Sequence, residues 1–179
     1  DAASTLDLDI NTTYACLQGT TKSIAVSYTD SASIKAVMPM LDAVAGGEGE
    51  FRKRPFCTAV CCHVVPPMRF ATESCEALEA AVEAGLPILL VAAGQAGATA
   101  PAALAGAVAQ ACAEVLAGLI LCNIIDPNCR GIFATWPFVS DLRTGAMSGG
   151  SGEQALLSAA CAQMASFYDL PNSVPAGMT

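Results

Sequence analysis

Apolar positions along this chain come in two patterns, short unbroken runs and longer stretches at helical spacing. Residues 23–28 (SIAVSY) read as a strand. Asp30 or Ser31 then caps a helix that stops near Gly46 and Gly47. A side-chain oxygen there satisfies the first free N–H groups, and glycine takes the left-handed turn after the last. Residues 47–54, charged and glycine-rich, read as a loop. Residues 56–65 (FCTAVCCHVV) predict a buried strand, ended by Pro66-Pro67. A second helix begins at Thr72, with Glu73 and Glu76 near its positive end, and stops at Gly85-Leu86-Pro87. Residues 86–92 (LPILLVA) form the continuous apolar run of a parallel strand covered on both faces. Residues 95–99 turn the chain. Pro101 is placed in the first turn of a third helix, where its missing N–H costs nothing, and that helix runs to about Leu121. Residues 131–134 (GIFA) make another strand, and 136–150 a long loop. Ser151, with Gln154 three residues on, opens a fourth helix that ends near Tyr168. Pro171 begins a further strand.

Four strand-to-helix units in a row imply a parallel sheet with right-handed crossovers. The candidates are a doubly wound sheet and a TIM barrel. No Gly-x-Gly-x-x-Gly follows a strand, so nothing supports a dinucleotide fold. A complete barrel needs about 250 residues, and this chain has 179. The expected fold is therefore α/β, a partial (β/α) TIM-type barrel of about four to five βα units. Residues 1–179 read as a single domain, the central part of a larger barrel.

Composition sharpens this picture. The chain is 54% hydrophobic and only 13% charged, against roughly 25% charged in ordinary globular proteins. It can bury a large core, but it has too few charges to cover an ordinary surface, so part of its outside is expected to be covered. A net charge of −8 argues against nucleic acid, whose phosphates need Lys and Arg, and against a polybasic membrane patch. Nine cysteines, several inside apolar runs (Cys112, Cys122, Cys161), behave as small hydrophobes rather than a disulfide framework. With no signal peptide in view, they point to the cytoplasm. Residues 86–125 carry one formal charge, Glu114, which raises a transmembrane helix. Pro87, Gly94, Gly97 and Pro101 break that run into strand, loop and helix, and its helical part is rich in Ala and Gly, so no membrane span is expected.

Three segments carry a resemblance. The first is Gly94-Gln-Ala-Gly97-Ala-Thr99-Ala-Pro101-Ala-Ala-Leu104-Ala-Gly106. The second is Glu114-Val-Leu-Ala-Gly118. The third is Asp141-Leu-Arg143-Thr-Gly145-Ala-Met147-Ser, followed by Gly152-Glu153-Gln-Ala-Leu156-Leu and Phe167-Tyr168-Asp-Leu-Pro171. In this order and spacing they resemble the trimethylamine methyltransferase family, well over residues 55–179 and loosely before. The turn Asn123-Ile-Ile-Asp-Pro-Asn-Cys-Arg130 is more polar than the family's, and its Cys129 departs from the pattern.

The resemblance implies a full TIM barrel longer than this chain. It implies transfer of a methyl group from a methylated amine, trimethylamine or a quaternary amine such as glycine betaine, to cobalt. That cobalt belongs to a corrinoid (cobalamin) carried by a partner protein, so no cofactor is expected on this chain itself. Some family members use pyrrolysine, and its absence here decides nothing. The competing expectation is a non-catalytic fragment, an association or structural module that is stable only in a homo-oligomer or with a missing segment. A scaffold or membrane protein built on the apolar middle is the third.

No catalytic residue stands out, and substrate-binding candidates follow from position. Asp141 and Arg143 lie in the loop after GIFA, on the face where barrel enzymes build their sites. Arg143 can hold a carboxylate, from a betaine or from Glu153, or the pair can merely fix the loop. Phe133, Trp136 and Phe138 sit at the same strand end. Aromatic ring faces attract a quaternary ammonium, and ordinary packing competes with that role, most strongly for the two Phe. Gln95 and Thr99 occupy another strand-to-helix loop on the same face, where Thr99 also suits a helix cap. Cys61, Cys62 and His63 invite a metal, but adjacent strand residues point to opposite faces, so none is expected. His63 reads as a satisfied histidine or a general acid, and Glu114 as a paired carboxylate.

Overall fold

The computed structural model describes residues 4–175. In chain order the elements are α1 (Thr5–Gly19), β1 (Ile24–Ser27), α2 (Ser31–Ala45), α3 (Glu50–Lys53), β2 (Cys57–Cys61), β3 (Val64–Val65), β4 (Arg69–Phe70), α4 (Thr72–Ala84), β5 (Ile88–Ala92), β6 (Gln95–Ala96), α5 (Leu104–Ile125), β7 (Gly131–Thr135), β8 (Phe138–Val139), α6 (Gly152–Phe167) and β9 (Asn172–Ser173). The principal sheet has the order β1-β2-β5-β7-β9 and is open. Helices alternate with its parallel strands, an architecture compatible with part of a (β/α) barrel. The chain divides into two compact units: residues up to Cys61 with 72–89 and 122–130, and residues 62–71, 90–121 and 131 onward.

In the first unit, local chemistry sets the helix ends. The Asp30 carboxylate accepts the Ser33 N–H at 2.7 Å, and Gly46, at φ 112°, turns its N–H back to the carbonyls of Asp42 and Ala43. α2 buries Ile34, Val37 and Leu41, one stripe at helical spacing. β1 pairs in parallel with β2, Val26 opposite Ala59, and the Ala59 N–H extends the ladder to the Pro87 carbonyl at the mouth of β5. Two elements differ from expectation. The loop at 47–54 contains α3, folded because Phe51 is fully buried edge-on against Phe56, ring centroids 5.2 Å apart. α1 has no apolar stripe to announce it; its buried residues are Asp9 and Thr13. Asp9 accepts the Thr29 N–H at 2.8 Å, a polar contact that ties this helix to the residues after β1.

All five residues of β5, whose first two belong to the first unit and last three to the second, are buried, as a strand covered on both faces requires. β5 and β7 are joined past their ends by Trp136 N–H to the Ala92 carbonyl and Phe138 N–H to the Gly94 carbonyl. β7 pairs in parallel with β9. The predicted strand over 56–65 is interrupted: β2 stops at Cys61, and β3 and β4 form a small antiparallel hairpin, Val64 opposite Phe70. α5 begins at Leu104, so Pro101 lies before the helix instead of in its first turn. The Ser151 hydroxyl does cap α6, accepting from Gln154 N–H.

α5 is the one helix among the described residues long and apolar enough to cross a membrane by length and composition. It nevertheless buries a single face: Ala107, Ala111, Glu114, Val115, Gly118 and Cys122 recur at intervals of three and four. Its other face, and that of α6, leave Ile120, Ile124, Leu156 and Phe167 well exposed.

Candidate functional site

The candidate residues gather in the second unit, where the chain leaves the C-terminal ends of β5 and β7. Two short strands built from the loops themselves fix this region. β6 pairs in parallel with β8, placing Gln95 opposite Phe138 and Ala96 opposite Val139. The loop 141–147 folds back on itself, Asp141 N–H to the Ala146 carbonyl and Ser148 N–H to the Val139 carbonyl. It rests on the preceding turn: a Cβ on Gly97, already at φ 87°, would strike Leu142 at 2.8 Å. Only glycine lets the two loops approach this closely.

Gln95 is half-buried. Its Oε1 accepts from the hydroxyl of Ser140 at 2.9 Å, which leaves its NH₂ to donate elsewhere. Its backbone N–H is taken by the Thr99 hydroxyl at 2.9 Å. Thr99 therefore closes the turn 95–100, five residues before Leu104, the first residue of α5. Trp136 is half-buried and anchored by Nε1–H to the Ser173 hydroxyl at 3.3 Å, which fixes its ring plane. Phe133 is fully buried within β7, 6.1 Å from the Tyr168 ring, and serves the core.

Asp141 and Arg143 form a two-pronged pair, Nε and Nη2 each 3.2 Å from a carboxylate oxygen, and Arg143 also gives its N–H to the same carboxylate. Those bonds hold the Asp141 carboxyl below its ordinary 3.8. The arginine side chain is 89% exposed. Glu153 lies exposed in the first turn of α6; the ion pair that Arg143 makes is with Asp141. Gln95, Trp136, Phe138, Asp141 and Arg143 thus share the strand ends, whereas Phe133 points into the core and Glu153 lies on the helix.

Three participants were not among the sequence candidates. Ser140, buried, holds Gln95. Gln110 of α5 donates from Nε2 to the Thr99 carbonyl at 2.9 Å and to Glu114 Oε1 at 3.0 Å. The Met68 N–H of the β3–β4 hairpin donates to that same Oε1 at 2.8 Å. Glu114 is thus paired through hydrogen bonds with neutral groups, and no ion pair to it occurs among the described residues. A lone carboxylate in an apolar helix was the available signal, but its Met68 partner lies 46 residues away in sequence.

Cys61, the last residue of β2, is buried, and Cys62, just past the strand, is exposed. Among the described residues no three His, Cys, Asp or Glu come together as metal ligands. Burial pushes the Cys122 thiol, beside Cys129, up to about 12, and Cys112 up to about 11. Both stay protonated near neutrality and behave as core atoms. His63 is fully buried, and burial lowers its pKa from the ordinary 6.5 against the opposing pull of Glu114.

The family model for trimethylamine methyltransferase (MTTB) matches residues 2–179. A glycine betaine methyltransferase of Desulfitobacterium hafniense (strain Y51) is 34% identical over 149 residues, 83% of this chain and 30% of that protein. A trimethylamine methyltransferase MttB of Desulfitobacterium hafniense (strain DSM 10664 / DCB-2) is 28% identical over 160 residues, 88% of this chain and 32% of that protein. The MttB of Methanosarcina thermophila is 31% identical over 129 residues, 72% of this chain and 26% of that protein. The chain therefore spans about a third or less of the length of these relatives. A match running the length of the chain, over an open parallel sheet with its polar and aromatic groups at the strand ends, places this protein in the trimethylamine methyltransferase family.

Proposed function

We propose that this chain forms part of the substrate face of a cytoplasmic methyltransferase that moves a methyl group from a methylated amine to the cobalt of a corrinoid protein. Trimethylamine and a quaternary amine such as glycine betaine are the candidate donors. The observation that carries this reading is the family match across residues 2–179. Gathering of Gln95, Trp136 and the 141–147 loop at the strand ends agrees with it.

Each group has a task that its chemistry suits. The Trp136 ring, held edge-on by Ser173, offers a face to a methylated ammonium, whose positive charge the ring attracts. The Gln95 NH₂ donates to a polar end of the substrate, and Ser140 keeps that amide from flipping. Arg143 retains donors beyond those given to Asp141 and suits the carboxylate of a betaine. A corrinoid presented by its own protein would supply reduced cobalt as the acceptor of the methyl group, and a quaternary or protonated donor nitrogen would keep the C–N electron pair and leave as a neutral amine. The strand-end face is suited to an apolar macrocycle or the protein that carries it, since Val65, Met68, Phe70, Leu142 and Met147 are exposed there.

The test is to incubate the protein with a reduced corrinoid protein and trimethylamine or glycine betaine, and follow the cobalt absorption together with amine release. Loss of the reduced-cobalt spectrum with stoichiometric dimethylamine or dimethylglycine is expected. An unchanged spectrum with both amines, under conditions where a full-length relative turns over, would reject the reading for this chain.

A further inference from the structure

The segment Glu114-Val-Leu-Ala-Gly118 has no task in methyl transfer as described above, yet both of its ends converge on one object. Glu114 Oε1 accepts the N–H of Met68. The Glu114 backbone carbonyl, one that α5 would otherwise keep for itself, accepts from His63 Nε2 at 2.8 Å. One turn further on, Gly118 faces the same imidazole: a Cβ there would lie 2.8 Å or less from three ring atoms. Helix α5 thus presents a carboxylate, a carbonyl and a gap, all spent on residues 63–68. His63 closes the hairpin from its own side, its carbonyl accepting the Ala71 N–H at 3.0 Å.

Two features say that this seat was not built for stability. Glu114 is 1% exposed, and its Oε2 has no hydrogen-bond partner among the described residues. A buried polar atom left unmatched costs free energy that an apolar side chain of the same size would not. Met68, in turn, sits at φ 55°, a conformation that L side chains rarely adopt. Such a conformation persists only where the surroundings hold it, and here the Glu114 carboxylate takes the Met68 N–H. The apolar side chains of the hairpin, Val65, Met68 and Phe70, meanwhile face out.

The seat is wired to the candidate site. Gln110 bridges Glu114 Oε1 to the Thr99 carbonyl, and Thr99 holds the Gln95 N–H. Pro66 of the hairpin lies against Gly94, 3.7 Å from where a Cβ would be. We propose that Glu114, with His63 and Gly118, is a positioning device that sets the β3–β4 hairpin and, through Gln110 and Thr99, sets Gln95 for the methylated amine. Glu114 touches no substrate; it is a positioning residue. The link to the amine rests on the function proposed above, whereas the seat itself stands on geometry alone.

The experiment compares Glu114→Met, which removes both carboxylate oxygens at similar volume, with Glu114→Gln, which keeps the accepting oxygen. Amide hydrogen exchange is read across the chain, with melting temperature and the binding of glycine betaine and of trimethylamine. For Glu114→Met, exchange in residues 62–71 and 95–100 rises about tenfold, as loss of one or two hydrogen bonds should allow, while β1 and α2 are unchanged. The melting temperature holds or rises, amine affinity falls about tenfold, and Glu114→Gln restores the wild-type pattern. Unchanged exchange in 62–71, or a loss of protection spread evenly over the chain, overturns the seat. A released hairpin with undiminished amine affinity overturns its role at the site. If the wild type binds neither amine while exchange responds as expected, the seat stands and the proposed function falls.

Discussion

Two carboxylates in the second unit show how differently the same group can serve a loop. Asp141 lies at the surface beside an arginine two residues away, and its bonds to Arg143 are local and largely solvated. Glu114 is buried, makes no ion pair among the described residues, and gathers a backbone N–H 46 residues away and an amide one turn before it. The exposed pair shapes its own turn and adds little to stability, because water screens it. The buried one looks like core and organises two loops, because in an apolar setting each hydrogen bond it accepts is strong and each one lost is costly.

The comparison can be broken or sharpened by measurement. The largest effect is expected at the seat's gap. Gly118→Val drives methyl groups into the His63 ring and is expected to lower stability by about 3 kcal/mol in urea denaturation, the upper range of overpacking. A near-neutral result would mean that the imidazole moves aside freely and that the seat is soft.

Trp136→Ala tests the other loop region without touching the seat. Glycine betaine affinity is expected to fall by about 1–2 kcal/mol, a factor of roughly 5 to 30, in titration calorimetry, with folding intact. Unaltered affinity would assign Trp136 to packing.

A smaller effect comes from pH. His63 is the chain's one histidine, and its folded pKa is lowered from 6.5, first by burial. The unfolded chain then binds a proton that the folded one refuses. Stability is full above pH 6.5, declines as pH falls below that value, and stops declining on this account beneath the folded pKa. Denaturation at stepped pH should show this slope in the wild type and lose it in His63→Gln. A slope that persists in the variant would assign it to other groups.

The smallest effect belongs to the exposed pair. Asp141 has a lowered carboxyl pKa, so its contribution is present above pH 3.8 and is lost as pH falls through the folded value. At neutral pH, Asp141→Asn should leave the melting temperature unchanged and alter only the exchange of residues 141–147. A clear drop in melting temperature would make this turn part of the fold's support and erase its contrast with Glu114.

The chain by itself determined whatever depends on neighbours in sequence. Asp30 and Gly46 bound α2, Ser151 with Gln154 opened α6, and the unbroken apolar run at 88–92 became a wholly buried strand. These signals are local because caps, turns and periodicity act within a few residues. The strand-end positions of Gln95, Trp136 and the 141–147 loop were legible for the same reason, since each directly follows an apolar run. Tertiary structure alone decided the rest. α1 shows no apolar stripe, and the bond from the Thr29 N–H to Asp9 that helps to hold it spans 20 residues. The run over 56–65 broke at Cys62 because His63 was drawn to a carbonyl 51 residues away. Phe133 fell to the core and Trp136 to the rim, although only two residues separate them, because β7 ends between them. Glu114 announced itself as a charge in an apolar helix, but its purpose depends on bonds across long separations, which only a packed chain can bring together.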